Sequence, residues 1–329
     1  MKNLKVPRYC LYIIGMSYIN TVIDKVYVIN LDNDTDRLEK FDKQMKSNNI
    51  SYTRFPAILG AKVGYSEYLT EFCNMFCTPG VKGCALSHVG IWEDMLQNRY
   101  ENVLVFEDDA YLSENFEKIF REGWDQLPND YDLFYLGCHA RCENSDLSSR
   151  VLNVLDDSVP EKMTTHIKKV RGSIGTHGYI ISSKCAKVLV DTAVNTHIDY
   201  QMTQWAKNMN LSVYSVTPLI VHAEMENQTE SNLSDSYPVL LNTIFHQVYL
   251  FNGIPLDRAL SENWIQIFGY AINILMMIIS VCILFLPKYF IKFVFGWLLL
   301  ELIYSRDLKN TWRYVLFLGL VSLLDRRSF

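Results

Sequence analysis

With 329 residues, the chain has room for one large domain or two small ones. Its 36 acidic residues outnumber 31 basic ones, giving a formal net charge of -5. That balance excludes a general nucleic-acid binder, whose footprint would be basic, and leaves room only for a local basic patch such as one that holds a phosphate.

Residues 1–23 read as an N-terminal extension. Lys2, Lys5 and Arg8 precede the apolar Tyr9–Ile14, a faint likeness to a signal peptide that Tyr18, Asn20 and Thr21 interrupt. Lys25–Leu31 is a β-branched first strand. Asp32–Asp36 forms a turn from which Thr35 or Asp36 caps a helix over about Arg37–Ser47. Ser51–Ala57 is a short strand, and residues 58–80 are irregular. Gly83–Gln97 is an amphipathic helix with Leu86, Val89, Ile91, Trp92, Met95 and Leu96 on its apolar side.

The strand Val103–Phe106 follows, then a helix over Asn115–Gln126 and a buried strand over Asp132–Gly137. Residues 139–165 are polar and loop-like. Thr176–Ser182 reads as a strand, Ser183–Thr192 and Tyr200–Met209 as helices, and Leu211–Val221 as the last strand. Alternating strands and helices are the pattern of an α/β sheet.

Composition changes after Glu224. A polar linker is expected over 225–263 and a hydrophobic helical tail over 264–329. Ile265–Leu286 is 22 residues without a formal charge, a length that can cross a bilayer. Phe290–Tyr304 and Tyr314–Leu324 are apolar too. The expectation is membrane association through this tail. Basic residues at Lys288, Lys292, Arg306, Lys309, Arg313, Arg326 and Arg327 argue for a cytoplasmic C-terminus, which conflicts with the weak signal, so the side of the membrane stays open.

Eight cysteines are present. Cys73/Cys77/Cys84 and Cys138/His139/Cys142 lack the paired spacing of a structural zinc site. Free thiols or one or two disulfides both remain open.

The chemistry concentrates at Glu107-Asp108-Asp109, where an apolar strand ends in three carboxylates. Ligands of open α/β sheets bind beyond the carboxyl ends of the strands. Alternation places Glu107 and Asp109 on one side and Asp108 on the other. Two same-side carboxylates suit Mn²⁺ or Mg²⁺ holding a diphosphate, with Asp109 the expected metal ligand. A solvated acidic loop is the plainer alternative.

Four segments resemble glycosyltransferase family 25, the group of lipopolysaccharide-biosynthesis glycosyltransferases and collagen galactosyltransferases. They are Val26–Asp32 with Asp36-Arg37-Leu38, Tyr52–Ala57, Gly83–Trp92 and Asn102–Ala110; weaker matches extend the resemblance over roughly 24–222. It implies an α/β domain of the glycosyltransferase A type over 24–224, with a nucleoside diphosphate sugar (a UDP-hexose) as donor and a hydroxyl of a glycan, lipid or protein as acceptor. On that reading Asn30, Asp32, Arg37, Ser87, His88 and Glu107 bind the donor. Glu107 and His222 share the metal with Asp109, and Asp199 is the candidate base for the acceptor hydroxyl.

Each site residue also has a plainer structural reading: an ion pair for Arg37, a core histidine for His88, a turn histidine for His222 and a helix cap for Asp199. A membrane-anchored binding protein on a degenerate transferase domain, and a metal-dependent nucleotidyltransferase, are the competing functional classes.

Overall fold

Period-two alternation in the first strand divides its side chains between two cores. The computed structural model describes residues 17–143, 150, 153–154, 158–223, 237–245, 248–250, 254–267 and 269–324. Strand β1 (Lys25–Asn30) sends Tyr27 and Ile29 into one core, and Val26 and Val28 into the other. Strand β3 (Asn102–Glu107) does the same, with Val103 and Val105 opposite Leu104 and Phe106. Such doubly buried strands belong to a sheet covered on both faces.

β1 lies between β2 (Thr53–Pro56) and β3, both parallel to it. Beyond β3, in spatial order, come β8 (Gly178–Ser182), β5 (Leu133–Tyr135), β9 (Val213–Val216), β7 (Ile167–Lys169) and β6 (Glu161–Lys162), completing an eight-stranded mixed sheet. β8 is antiparallel to both β3 and β5. The start of β8 therefore meets the carboxyl ends of β1, β3 and β5 at one edge. This mixed α/β arrangement is consistent with a glycosyltransferase A-type fold.

The predicted last strand divides in two. β9 stays in the main sheet, while β10 (Val221–Ala223) pairs antiparallel with β4 (Ala110–Leu112), the residues directly after the acidic triplet. Helices α2 (Thr35–Ser47) and α5 (Phe116–Gln126) cover one sheet face. Helices α4 (Pro79–Asn98), α6 (Ser183–Val190) and α7 (Ile198–Asn208) cover the other. α4 begins earlier than the sequence suggests, because Thr78 caps it and Pro79 occupies its first turn. The turn before it is pressed onto the helix: a Cβ on Gly83 would lie 2.4 Å from the Ile58 carbonyl oxygen.

The expected membrane tail is corrected by the structure. Ile265–Leu286 is not one helix. Strands Asn263–Ile267 and Tyr270–Asn273 form an antiparallel hairpin turned at Gly269, whose φ is +80°. Only the 12 residues Ile274–Phe285 are helical, capped by Asn273, which accepts from the Met276 N–H at 3.0 Å. Twelve residues rise about 18 Å, against a hydrocarbon core of about 30 Å.

The helices Tyr289–Ser305 and Leu308–Leu324 have 17 residues each. Among the described residues, no helix is long and apolar enough to cross a membrane. The localisation that rested on the tail is corrected with it. Instead, these helices bury Met276, Ile283, Val294, Leu298, Tyr314 and Leu318 against one another.

Glu301, fully buried in that cluster, accepts the backbone N–H groups of Leu240 and Leu241, at 2.9 Å each, at the start of helix Val239–Phe245. A carboxylate at a helix N-terminus is stabilised there, which explains a charge inside an apolar segment. Of the expected linker, residues 237–245, 248–250 and 254–263 are structured; its polar stretch 225–236 lies outside the described residues.

Candidate functional site

The carboxyl ends of β1 and β3 lie side by side, so Asn30 and the Glu107-Asp108-Asp109 triplet share one edge of the sheet. Asp108 turns toward α2. It accepts from Asn30 Nδ2 at 2.8 Å and from Arg37 at 3.1 Å. Asn30 in turn accepts from Arg54 Nε at 2.8 Å, and Arg54 also bonds the Asn30 carbonyl at 3.1 Å and Asp32 at 2.6 Å. Asp32, Arg54, Asn30, Asp108 and Arg37 thus form one continuous charge-assisted network across β2, β1, β3 and α2. Arg54 was within a recognised sequence segment but not singled out; its role appears only once β2 pairs with β1.

Glu107 turns the other way, toward α4. His88 Nε2 stands 3.6 Å from Glu107 Oε1, and the Thr176 hydroxyl donates to the same oxygen. On its far side, His88 Nδ1 meets the Tyr179 hydroxyl at 2.9 Å, and Trp92 Nε1 donates to that hydroxyl at 3.0 Å. Indole N–H can only donate, so the Tyr179 oxygen accepts from Trp92.

Burial by itself raises the Glu107 carboxyl. His88, Thr176 and His177 outweigh it and draw the group down to about 2. Ser87, beside His88, has a backbone role: it donates to the Gly83 carbonyl at 2.7 Å and accepts the Ile58 N–H at 2.8 Å.

Asp109 is the uncompensated member of the triplet. Its Oδ1 is buried without a hydrogen-bond partner. Burial, then the charges of Glu107 and Asp108, push its carboxyl up to about 7; Arg37 and Arg258 pull the other way. His222 lies on β10 opposite Tyr111, ring centroids 5.2 Å apart. Burial lowers the affinity of His222 for a proton. Among the described residues, no group of three or more His, Cys, Asp or Glu side chains is placed to hold a metal ion.

Asp199 stands in the first turn of α7. One oxygen accepts the Gly175 N–H at 3.1 Å and the other the Tyr200 N–H at 2.6 Å. Gly175 has φ +103°, and a Cβ there would come within 2.9 Å of His139 and 3.1 Å of His177. Glycine is required at this close approach. It lets the imidazoles of His139 and His177 meet with centroids 4.6 Å apart.

Both imidazoles are neutral near pH 7. Burial, then the charges of His177, Arg258 and His222, hold His139 down to about 3 despite an opposing pull from Glu107. Burial is likewise the main cause holding His177 at about 4. Disulfides close Cys73–Cys77 and Cys138–Cys142, the second bracketing His139. Thr176, His177 and Tyr179 lie in Thr176–Ile181, one of the weaker matches of the resemblance, and only the insertion of antiparallel β8 beside β3 brings them to the triplet.

The model of Glycosyltransferase family 25 (LPS biosynthesis protein) matches residues 23–203. Procollagen galactosyltransferase 2 of Homo sapiens is 23% identical over 242 residues, covering 65% of this chain and 37% of that protein. A glycosyltransferase 25 family member of Anopheles gambiae is 26% identical over 246 residues, covering 65% of this chain and 39% of its own length. The chain thus spans well under half of these two relatives.

Lipooligosaccharide biosynthesis protein lic2B of Haemophilus influenzae is 23% identical over 239 residues, covering 66% of this chain and 88% of that protein. The family match takes in more than half of the chain, including the acidic triplet, the Asn30–Arg37 turn and the Ser87-His88 helix; this chain belongs to glycosyltransferase family 25.

Proposed function

We propose that the chain transfers a hexose from a nucleoside diphosphate sugar, a UDP-hexose, to a hydroxyl of a glycan, lipid or protein. The carrying observation is the unpartnered Asp109 oxygen beside the Arg54–Asn30–Asp108–Arg37 network, at the carboxyl ends of β1 and β3. The network holds two guanidinium groups, each paired with a carboxylate, and fixed polar groups where a nucleotide would lie. Relatives named for galactosyl transfer to procollagen and for lipooligosaccharide biosynthesis support the acceptor class.

A divalent cation, Mn²⁺ or Mg²⁺, fits this reading at Asp109, with Glu107 and His222 nearby in the fold and not gathered as ready ligands. When bound, it would supply charge to the leaving diphosphate. The chain's own groups do the rest: Arg37 and Arg54 fix the nucleotide side of the site, and His88 and Thr176 hold Glu107 ionised. Asp199 is retained as the candidate base for the acceptor hydroxyl.

Incubation of the purified full chain with a panel of nucleotide sugars, with and without Mn²⁺, tests the proposal. Release of a nucleoside diphosphate that depends on the acceptor supports transfer. No release, together with no thermal stabilisation by any donor, would favour a binding protein on the same scaffold.

A further inference from the structure

The hairpin of Asn263–Ile267 and Tyr270–Asn273 lies beyond residue 203, where the family match ends, and its register shifts once. Asn263 pairs with Asn273 and Ile265 with Ile272, so Trp264 is the extra residue of a β-bulge. A bulge re-aims the side chain it carries and is frequent beside active sites. Ile265 and Ile267 pack onto the helical cluster, whereas Trp264 joins none of the three hydrophobic clusters among the described residues. A large aromatic side chain is thus withheld from the cores.

The Trp264 indole goes to the N-terminus of α7. It meets the His197 ring with centroids 5.6 Å apart and the Tyr200 ring at 6.3 Å. His197 is the N-cap position of that helix and Tyr200 follows three residues later, so both approach the indole from one side of the helix. Trp264, His197 and Tyr200 are all half-buried. The segment is pinned on either side of Trp264: Glu262 Oε1 lies 3.7 Å from His197 Nδ1, and Ile265 bridges to Cys77, itself bonded to Cys73.

Asp199, the candidate base, stands between His197 and Tyr200 in the same turn, its carboxylate on the Gly175 and Tyr200 N–H groups. The indole and the carboxylate therefore flank one helix end. The indole's surroundings are polar: the Glu262 carboxylate, the His197 imidazole and, 5.9 Å from the Tyr200 centroid, the Arg141 guanidinium. An acyl chain laid here would desolvate those groups without replacing their hydrogen bonds. A pyranose has an apolar C–H face to lie on the ring and a rim of hydroxyls for the polar groups, which suits an aromatic body in polar company.

We propose that Trp264 is the stacking platform for a sugar ring of the acceptor, one ring removed from the reacting hydroxyl. The acceptor is then a glycan of at least two rings. The inference rests on the transfer reading above and narrows its acceptor class.

The test is acceptor kinetics on the full chain, with the nucleotide sugar that wild type turns over and Mn²⁺ held fixed. Methyl galactoside and methyl glucoside are the one-ring acceptors, lactose and cellobiose the two-ring acceptors, and a serine peptide and octanol the non-sugar ones. Wild type should show a KM for one disaccharide about tenfold or more below that of the monosaccharides. Trp264→Ala should raise that disaccharide KM about tenfold or more, as truncating an aromatic anchor does. KM for the nucleotide sugar and for the monosaccharides should stay within about twofold of wild type.

Trp264→Phe keeps an aromatic face and should recover most of the loss. Trp264→Leu keeps apolar bulk without that face and should not; this pair serves in place of Trp264→Ala if that variant melts early. An unchanged disaccharide KM, an equal rise in the KM of the nucleotide sugar, or full recovery by Trp264→Leu overturns the role of Trp264. A wild type without preference for a disaccharide, or one that turns over the donor and uses none of the four sugars, overturns the glycan acceptor and leaves the transfer reading standing. No turnover of any donor overturns both.

Discussion

His88 and Glu107 face each other across 3.6 Å, one on a fully buried helix face and the other at the tip of the central strand. Behind His88 stand the Tyr179 hydroxyl and the Trp92 indole, so the imidazole is held in place facing the Glu107 carboxylate. This arrangement holds a negative charge at the sheet edge while α4 and β3 remain packed against each other.

The Tyr179→Phe substitution tests that arrangement. It would leave Trp92 Nε1 and His88 Nδ1 without their shared partner in a water-free place. Burying unsatisfied polar groups costs about 1–3 kcal/mol. Urea unfolding should show a lower midpoint with an unchanged slope. A midpoint equal to wild type would mean the three groups are not coupled.

Asp108 and Asp109 are neighbours with opposite balances, and their variants should separate stability from activity. Asp108→Ala removes one partner of Asn30 and one of Arg37 and is expected to destabilise by about 1–3 kcal/mol. Asp109→Asn removes one of three crowded like charges and should be neutral or stabilising by up to about 1 kcal/mol while abolishing transfer. Thermal melts paired with donor-hydrolysis assays check both. An Asp109→Asn chain that stays active would remove Asp109 from the chemistry.

The opposite facing of Asp108 and Glu107 follows from strand alternation alone, and so it was legible in the sequence. The same holds for β1, β3 and the helix that carries His88. Arg54, Thr176 and Tyr179 were not legible as site residues. Their place depends on β2 joining β1 and on β8 inserting antiparallel between β3 and β5, and local periodicity carries no record of sheet order.

The tail misled for a different reason. Ile265–Leu286 carries no formal charge and is mostly apolar, so hydropathy hides the break. The hairpin turns at Gly269 and the helix starts at the Asn273 cap, both single-residue signals inside an uncharged, mostly apolar run.

Alkaline pH should unfold the chain from near pH 10, the ordinary range of tyrosine ionisation. Burial, assisted by Asp42, raises Tyr52 to about 12, and burial raises Tyr237 to about 12 against the opposing Thr311 bond. Tyr27, Tyr131 and Tyr135 are also raised, with burial the largest cause for each. A group whose folded value is raised contributes stability that is complete below its unfolded value and is lost as pH climbs toward the folded one. Stability should therefore be flat up to about pH 9 and fall between about 10 and 12. Tyrosinate absorbance should lag behind free tyrosine and then rise with loss of the circular dichroism signal. Ionisation of all tyrosines near pH 10 with the fold intact would contradict this.

Asp199→Asn distinguishes a base from a positioning group. Both carboxylate oxygens of Asp199 already receive backbone N–H groups, from Gly175 at 3.1 Å and Tyr200 at 2.6 Å. An asparagine can accept only one of them, because its amide nitrogen is a donor and would face the other N–H. The strained Gly175 turn, which keeps His139 and His177 in contact, then loses its anchor. The expected result is a stability loss of about 1–2 kcal/mol, with a fall in kcat and little change in the shape of the pH–rate profile. If Asp199 also takes the acceptor proton, the same stability loss is joined by a kinetic effect. Turnover would then drop by about two to four orders of magnitude, and the acidic limb of the profile would disappear. Melting curves and pH–rate profiles on the same preparation decide between these outcomes.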